Sequence, residues 1–489
     1  MTMKQDKSMG RFVTILIALV LMFAGRYVPA FPGLSPSGMQ VLGIFAGVLI
    51  LWLTVSIDWP SILLIGALAF VPELNFASIL AGAYGGSTFV FLIFTFVVTY
   101  SLSQTTYIKR TAVAFISSSI ASRGPWIFVT LYFASILFIG SFISPTVLFF
   151  VYLPILEEIY ALLELEKGHK FAGMLMMGTV IMCGISSGMT PIAHVFPILA
   201  MSTYSEMYGR AINYGPYMAS AIPVGLISAG LVILTFKYLL KPDTSAFAKF
   251  DAARITGVRG KTTRAEKIVL WVFILVVALW VLPSLITPVI TTGLIFNVVT
   301  KIDALGTAFP PLLGLVILCI LTDKGKPILN FSEAMSKGVS WSSVIMCAGT
   351  TALGSAITNG DIGVTAWISD RLAPLTANLP VIVMVLVFTL WAAVQTNLSS
   401  NMVTATVVSA AALTVTANIE GVNVASLIVN IGMMAAYAFA TPPAMPCVAI
   451  AGSSGWTTTT QMMIYGFIAM FISVVIATFV GYPIGAMLL

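Results

Sequence analysis

Two short polar segments, Ile143-Ser144-Pro145-Thr146 and Thr396-Asn397-Leu398-Ser399-Ser400-Asn401, interrupt apolar sequence, and Ser144 and Ser400 stand 256 positions apart. Each is trailed by a second broken spot, Gly188-Met189-Thr190-Pro191 in the first half and Ala440-Thr441-Pro442-Pro443 in the second. In a bilayer every backbone N–H and C=O needs a partner. Non-helical, hydroxyl-rich sequence at membrane depth is therefore tolerated only inside protein or around a water-filled cavity. Two matched sets of breaks, one per half, point to a transporter site at a repeat interface.

The rest of the chain supports that setting. Its 489 residues are 59% hydrophobic and 8% charged, with mean hydropathy +1.04, where a soluble domain carries roughly 25% charged residues. This is the composition of an all-α polytopic membrane protein. The apolar runs have helical length, unlike the alternating segments of about ten residues that build a β-barrel. The net charge of +6 sits mostly at loops, so it reports topology and not nucleic-acid binding. Cys183, Cys319, Cys347 and Cys447 are scattered without a CxxC pair, which indicates neither a disulfide framework nor a zinc site. The N-terminal apolar run behind Lys4, Lys7 and Arg11 resembles a signal sequence. It lacks a small-x-small cleavage site and leads at once into another span, so it reads as a retained first helix.

Apolar runs place spans near 12–31, 38–57, 60–72, 86–106, 215–239, 267–287, 303–322, 339–358 and 459–488, with broken spans at 171–201 and 423–454. The runs at 125–165 and 378–415 are too long for one span. Each is interrupted near its middle, as expected of a re-entrant hairpin whose tip stops at the midplane. A basic stretch, 241–266, separates two similar halves and reads as cytoplasmic under the positive-inside rule, as do the N-terminus, Lys109-Arg110 and Lys324/Lys326. The expected organisation is N-terminal helices over 1–85, a first repeat over 86–240, the linker, further helices over 267–338 and a second repeat over 339–489. Counting from a cytoplasmic N-terminus gives about eleven spans plus two hairpins, an external C-terminus and an inverted-topology repeat.

The candidate site is nearly free of ionisable groups: no Asp, Glu, Lys or Arg lies in 127–156, 171–205 or 380–419. An intramembrane carboxylate is the usual mark of proton coupling. What remains are hydroxyls, amides and carbonyls, hard oxygen ligands suited to a dehydrated alkali cation, and helix N-termini suited to an anion. This chemistry fits sodium plus an anionic substrate better than proton transfer. Taken singly, most such Ser and Thr residues only bond a preceding carbonyl or let helices pack closely; the four-part constellation in matched positions carries the functional reading. His194, beside the first break, either contacts substrate or a carbonyl or relays protons. Asp361, in the Asn359-Gly360-Asp361 turn, belongs to the water interface. No P-loop is present for ATP-driven transport, and no nucleophile–base or metal set suggests an enzyme.

At these motifs the sequence resembles the divalent anion:sodium symporters, the sodium-coupled dicarboxylate, citrate and sulfate transporters of the ion-transporter superfamily. The resemblance covers about Ser87 through the C-terminus. That family carries a Ser-Asn-Thr tripeptide at each hairpin tip and a Thr-Pro-Pro type break behind it. By that resemblance Thr396, Ser399, Ser400, Asn401 and Ala440 hold a sodium ion, and Ser144 and Gly188 belong to a degenerate first sodium site. Ser144, Thr146, Thr190, Ser400, Asn401, Thr441 and Pro442 contact substrate, with His194 as a modulator. The sequence also departs from the pattern. The first tripeptide is Ser144-Pro145-Thr146, without its asparagine; Gly140 replaces a serine; and the second tripeptide ends in Met402.

The resemblance implies a homodimer in the inner or plasma membrane, with scaffold and transport domains and an elevator-type movement. The leading expectation is a secondary transporter of a small di- or tricarboxylate, sulfate or related anion, driven by Na+. The alternatives are an anion exchanger on the same fold and a sodium/proton antiporter of the wider superfamily. A cysteine at Gly257 should be shielded from an impermeant thiol reagent in intact cells, and one appended after Leu489 should be labelled. Labelling of both refutes the inverted eleven-span topology.

Overall fold

The computed structural model describes residues 2–249, 262–287, 289–376, 379–417 and 419–489. Within them the chain is almost wholly helical. The first half runs α1 (Thr2–Ala24), α2 (Pro36–Thr54), α3 (Trp59–Leu68), α4 (Phe76–Gly85), α5 (Ser87–Ser103) and α6 (Tyr107–Ile116). A hairpin follows, α7 (Pro125–Gly140) and α8 (Pro145–Leu162). Then come a broken span, α9 (Lys170–Met189) and α10 (Val195–Tyr208), and a closing span, α11 (Tyr214–Thr235), extended by a π-helical turn to Leu240. Next are α12 (Arg264–Ile286), α13 (Gly293–Ala304) and α14 (Phe309–Ile320). A two-residue ribbon, Thr322–Asp323 with Lys326–Pro327, leads to α15 (Phe331–Glu333) and a π turn to Gly338. The second half repeats the first: α16 (Trp341–Thr358), α17 (Val364–Thr376), hairpin α18 (Val381–Leu398) and α19 (Asn401–Thr416), and broken span α20 (Val424–Ala436) and α21 (Pro446–Ser453). It closes with α22 (Thr459–Ile476), a π turn and α23 (Tyr482–Leu488).

Local signals place these ends. Proline opens α7, α8 and α21, where a missing N–H costs nothing. Capping boxes start α12 (Thr263 with Glu266) and α22 (Thr458 with Gln461). Helix α1 is part of the packed body. Gly43 and Gly47 of α2 admit it so closely that an added Cβ would come within 2.3 Å of Leu21 O and 2.6 Å of Ala18 O, a small-residue crossing of the kind that membrane helices favour.

Contacts sort the helix ends into two groups. At one end Thr106 bonds Glu266, the ammonium of Lys237 lies 5.9 Å from the Trp126 ring, and Tyr160 packs on Trp456 at 4.2 Å between ring centroids. Lys237 and Glu266 stand at the two ends of the 241–266 linker, of which residues 250–261 lie outside the described residues. At the other end Trp367 and Arg371 bond Pro32 O, Ser355 bonds Glu206, and the Asn423 N–H donates to Tyr482 Oη. Helix α11 thus finishes at the linker end, whereas the α22–α23 span starts there and finishes opposite. The first hairpin is based at the linker end and the second at the other. The two repeats are inverted.

Several elements differ from the sequence reading. Helices α4, α6, α13 and α17 escape it because they are short or carry charges such as Lys109, Arg110, Lys301, Asp303 and Asp370, and so form no long apolar run. The span expected at 303–322 is only the twelve-residue α14, preceded by α13, which meets it at 89°. Nine described helices are long and apolar enough to cross a membrane, and two of them, α8 and α18, are hairpin arms. Eleven crossings result only when α3, α14, α16 and the broken α20–α21 are counted too. The ten residues of α3 extend about 15 Å, half the hydrocarbon core.

Glu266 ties two of these parts together. Its Oε1 accepts from Thr106 N and Oγ1 at 2.7 and 2.6 Å, and its Oε2 from Thr263 N and Oγ1 at 2.9 and 3.0 Å. Glu266→Ala removes all four bonds and frees the α5–α6 elbow from α12. Thermal unfolding in detergent should show a loss on the order of 1–3 kcal/mol; an unchanged melting temperature would show that other contacts hold the elbow.

Candidate functional site

Both hairpin tips are pinned to the break of the following span by the same bond. The Thr190 hydroxyl donates to the Ser141 carbonyl at the first tip, and the Thr441 hydroxyl donates to the Asn397 carbonyl at the second. The two broken spans cross at glycines. A Cβ on Gly188 would come within 2.9 Å of Met433 O, and one on Gly432 within 3.0 Å of the Pro197 Cα. The apparatus from both halves therefore meets in one buried region.

The second tip is rich in amides. Asn397 is fully buried; its Nδ2 donates to Ala393 O at 2.8 Å and Tyr437 O at 3.0 Å, and its Oδ1 accepts from Ala440 N at 2.7 Å. The Asn401 Nδ2 donates to Ala444 O at 3.0 Å, which turns its Oδ1 toward Thr396. The Thr396 hydroxyl lies 2.6 Å from Ala435 O and 3.0 Å from Asn401 Oδ1. It has one proton for these two acceptors, so one buried oxygen is always left over. The Ala440 carbonyl has no hydrogen-bond partner among the described residues. Thr396 and Asn401 thus meet directly, and Ala440 is tied to the same tip through Asn397. Ser399 is turned away, its hydroxyl donating to Gln395 O at 3.0 Å, and the Ser400 hydroxyl caps α19 through Val403 N. Pro442 is half-buried beside Thr441.

The first tip is built differently. A Cβ at Gly140 would stand 2.1 Å from Ser186 Oγ. The hydroxyl missing from position 140 is replaced in space by one from α9, held by Cys183 O at 3.0 Å. Ser144 begins α8 without a side-chain cap, and Thr146, the second residue of the helix, is half-buried. Ser144 lines a cavity of about 40 Å³ with Thr95, His194 and Ile198, room for one water or one ligand oxygen. The Thr95 hydroxyl there is buried and unpartnered. His194 caps α10: its Nδ1 accepts from Val195 N at 3.0 Å, so the proton of the neutral ring sits on Nε2 as a donor. Gly188 is not brought to Ser144, and its carbonyl accepts from Tyr217 Oη at 2.7 Å.

The N-termini of α8 and α19 begin at the two tips, and the C-termini of α7 and α18 end there. Positive helix ends suit an anion and unpaired carbonyls suit a cation. A cavity of about 440 Å³ between α6, α7 and α12 is lined almost wholly by apolar side chains and is poorly suited to an anion.

The family model described as "Sodium:sulfate symporter transmembrane region" matches residues 6–489. The chain belongs to the sodium:sulfate symporter family. Members of this divalent anion:sodium symporter family are transporters, so the chain is not an enzyme. It is 25% identical over 510 residues to the sodium-dependent dicarboxylate transporter SdcS of Staphylococcus saprophyticus, covering 98% of this chain and 92% of that one. A second relative of that name, from Staphylococcus aureus strain bovine RF122, is 25% identical over 71% of this chain and 66% of its own length. Among solved structures, the chain is similar to the YdaH transporter of Alcanivorax borkumensis, whose topology is described as unusual. That similarity has 13% identity and a TM-score of 0.49, over 82% of this chain and 86% of that one.

Sequence reasoning missed Asn397, Ser186 and Thr95. Asn397 stood inside the quoted motif, one turn before Asn401; nothing in the pattern flagged the other two. The Gly140–Ser186 exchange is testable. Gly140→Ser overfills the tip and should destabilise the protein by about 1–3 kcal/mol. The double variant with Ser186→Gly should recover most of the loss in a detergent melting assay; a neutral single variant would show that the tip has room to spare.

Proposed function

We propose that this chain is a secondary active transporter that carries a small dianion, a dicarboxylate first, with sulfate and tricarboxylates as the alternatives in class. Uptake is coupled to Na+, which is a transported ion here and not a resident cofactor. The observation that carries the reading is the buried Thr396–Asn401 pair with its surplus oxygen. An alkali cation satisfies that oxygen without any proton transfer. The names of the relatives, sodium-dependent dicarboxylate transporters, support the same pairing.

The sodium ligands are Thr396, Asn401 and the Ala440 carbonyl, with Ser399 and Ser400 joining after a rotamer change. Substrate carboxylate oxygens are received at the N-termini of α8 and α19 by Ser144, Thr146, Ser400 and Asn401, with Thr441 and Pro442 shaping the second break and Thr190 the first. His194 contributes an Nε2–H donor, which suits an anion oxygen and not a cation. The first sodium site, Ser144 with Gly188, is weakened, since the Gly188 carbonyl is engaged by Tyr217 and Pro145 has no amide. That loss also favours a second reading, an anion exchanger on the same fold.

In this reading the hairpins and broken spans form a transport domain that moves as an elevator against scaffold helices of residues 1–85 and 267–338. The protein sits as a homodimer in the cell membrane, with the linker end cytoplasmic and the C-terminus external. Succinate uptake into proteoliposomes should rise with an inward sodium gradient, and Asn401→Ala should nearly abolish it while leaving a folded protein. Removing that amide strands a dehydrated ion, a loss on the order of 1–3 kcal/mol or more. Pro145→Ala should be milder. Uptake indifferent to sodium but driven by internal succinate would establish the exchanger; uptake following a pH gradient and lost in His194→Ala would establish proton coupling.

A further inference from the structure

At the end of the body opposite the linker, a cavity of about 410 Å³ lies between the start of α5 and the junction of α10 with α11. Gly86, Ser87 and Thr88 bring to it the N-terminus of α5, a 17-residue helix that no side chain caps. The first N–H groups of α5 are unpaired donors; because α5 continues α4 as one 28-residue span across Gly86, the dipole of α4 offsets that of α5 and the donors, not a net charge, are what this end supplies. Arg210 lines the same cavity. Its Nε–H donates to Tyr204 Oη at 2.8 Å, and it forms no ion pair among the described residues. Ser202 is 5% exposed, and its Oγ, on the same wall, has no hydrogen-bond partner. Buried hydroxyls are normally paired, so this one is open to a water or to a ligand atom in the cavity.

The cavity also holds an opposing charge. Glu206 lines it, and its Oε2 accepts from Ser355 Oγ at 3.1 Å. Below it, Ile198 is shared with the small cavity at Ser144 and His194. Both cavities follow α5, the upper one along Ser87, Thr88 and Phe91 and the lower along Leu92, Thr95 and Phe96. The upper cavity thus adjoins the one at the first hairpin tip, with Ile198 between them.

We propose that this cavity is a second anion site, in which a carboxylate or sulfate group is held by Arg210, Ser202 and the α5 N-terminus before it passes Ile198. The proposal rests on the anion-transport reading above. One wall belongs to α5 and the other to α10 and α11. Glu206 keeps the hold loose, so the anion is released inward.

The test is uptake of external succinate by intact cells expressing the full chain, normalised to folded protein. Arg210→Gln should raise KM by about threefold or more at low ionic strength, as expected for a partly exposed charge contact, with a maximal rate close to wild type. The increase should shrink as salt screens the charge. Arg210→Lys should keep most of the wild-type KM, Ser202→Ala should raise it, and Glu206→Gln should lower it. An unchanged KM in Arg210→Gln overturns the proposal. So does a loss of sodium activation in Glu206→Gln with normal Arg210→Gln, which would make the cavity a cation site. If Arg210→Gln does not fold, Glu206→Gln decides, and a KM that stays or rises overturns the site. Wild-type cells that take up neither succinate nor sulfate would sink the transport reading itself; wild-type uptake with unaltered variants sinks only this site.

Discussion

Each half of the molecule is closed by a threonine hydroxyl at a helix break donating to a carbonyl at a hairpin turn, Thr190 to Ser141 and Thr441 to Asn397. A chain that turns back at membrane depth leaves the last carbonyls of its first arm without helical partners, and lipid supplies none. The threonine supplies one. The proline that follows each threonine, Pro191 or Pro442, removes an N–H that would otherwise need an acceptor of its own. The Thr-Pro pair therefore corrects the hydrogen-bond count on both sides. Once tip and break are pinned, two helix N-termini and several spare carbonyls lie side by side, and a polar site can persist in an apolar body.

The halves share that lock and differ in what they build on it. The second tip has two amides one turn apart. Asn397 spends its amide on structure, tying α18 to the break through Tyr437 and Ala440, and this frees Asn401 to face Thr396. The first tip has proline where the second has Asn401, a glycine filled from outside by Ser186, and a histidine whose free nitrogen is a donor. One side is thus acceptor-rich and suited to a cation. The other offers hydroxyls and an N–H suited to an anion. A symmetric backbone has been given complementary chemistry by a handful of side chains.

Much of this was legible in the chain itself. The hairpins and broken spans announce themselves because Ser144-Pro145 and Ser400-Asn401 violate an apolar run at its middle, and the breaks carry proline. The inversion follows from the basic linker and an odd number of crossings between the halves. The short helices were not legible. Helix α6 and α17 mix charges with apolar residues and lie outside long runs, so neither length nor hydropathy marks them. Within the site, Asn401 and Thr396 could be read from their motif, whereas the capture of the Gly188 carbonyl by Tyr217 and the filling of Gly140 by Ser186 depend on contacts across 29 and 46 positions that no local pattern encodes.

The absence of ionised side chains from the tips has an energetic consequence. A dianion moved alone into a low-dielectric interior would lose several kcal/mol or more of hydration free energy per charge, far beyond what a few neutral donors return. With no arginine or lysine at the tips, the compensating charge must arrive with the substrate. In the reading proposed above a sodium ion at Thr396 and Asn401 supplies it, and the attraction between two ions a few ångströms apart is strongest in such a medium. Each ion makes the other's desolvation tolerable, so neither is held well alone. On that reading coupling needs no dedicated gate: it follows from a neutral cavity in which cation and anion stabilise each other. Each positive charge missing from the first tip raises the energy of the loaded, moving state.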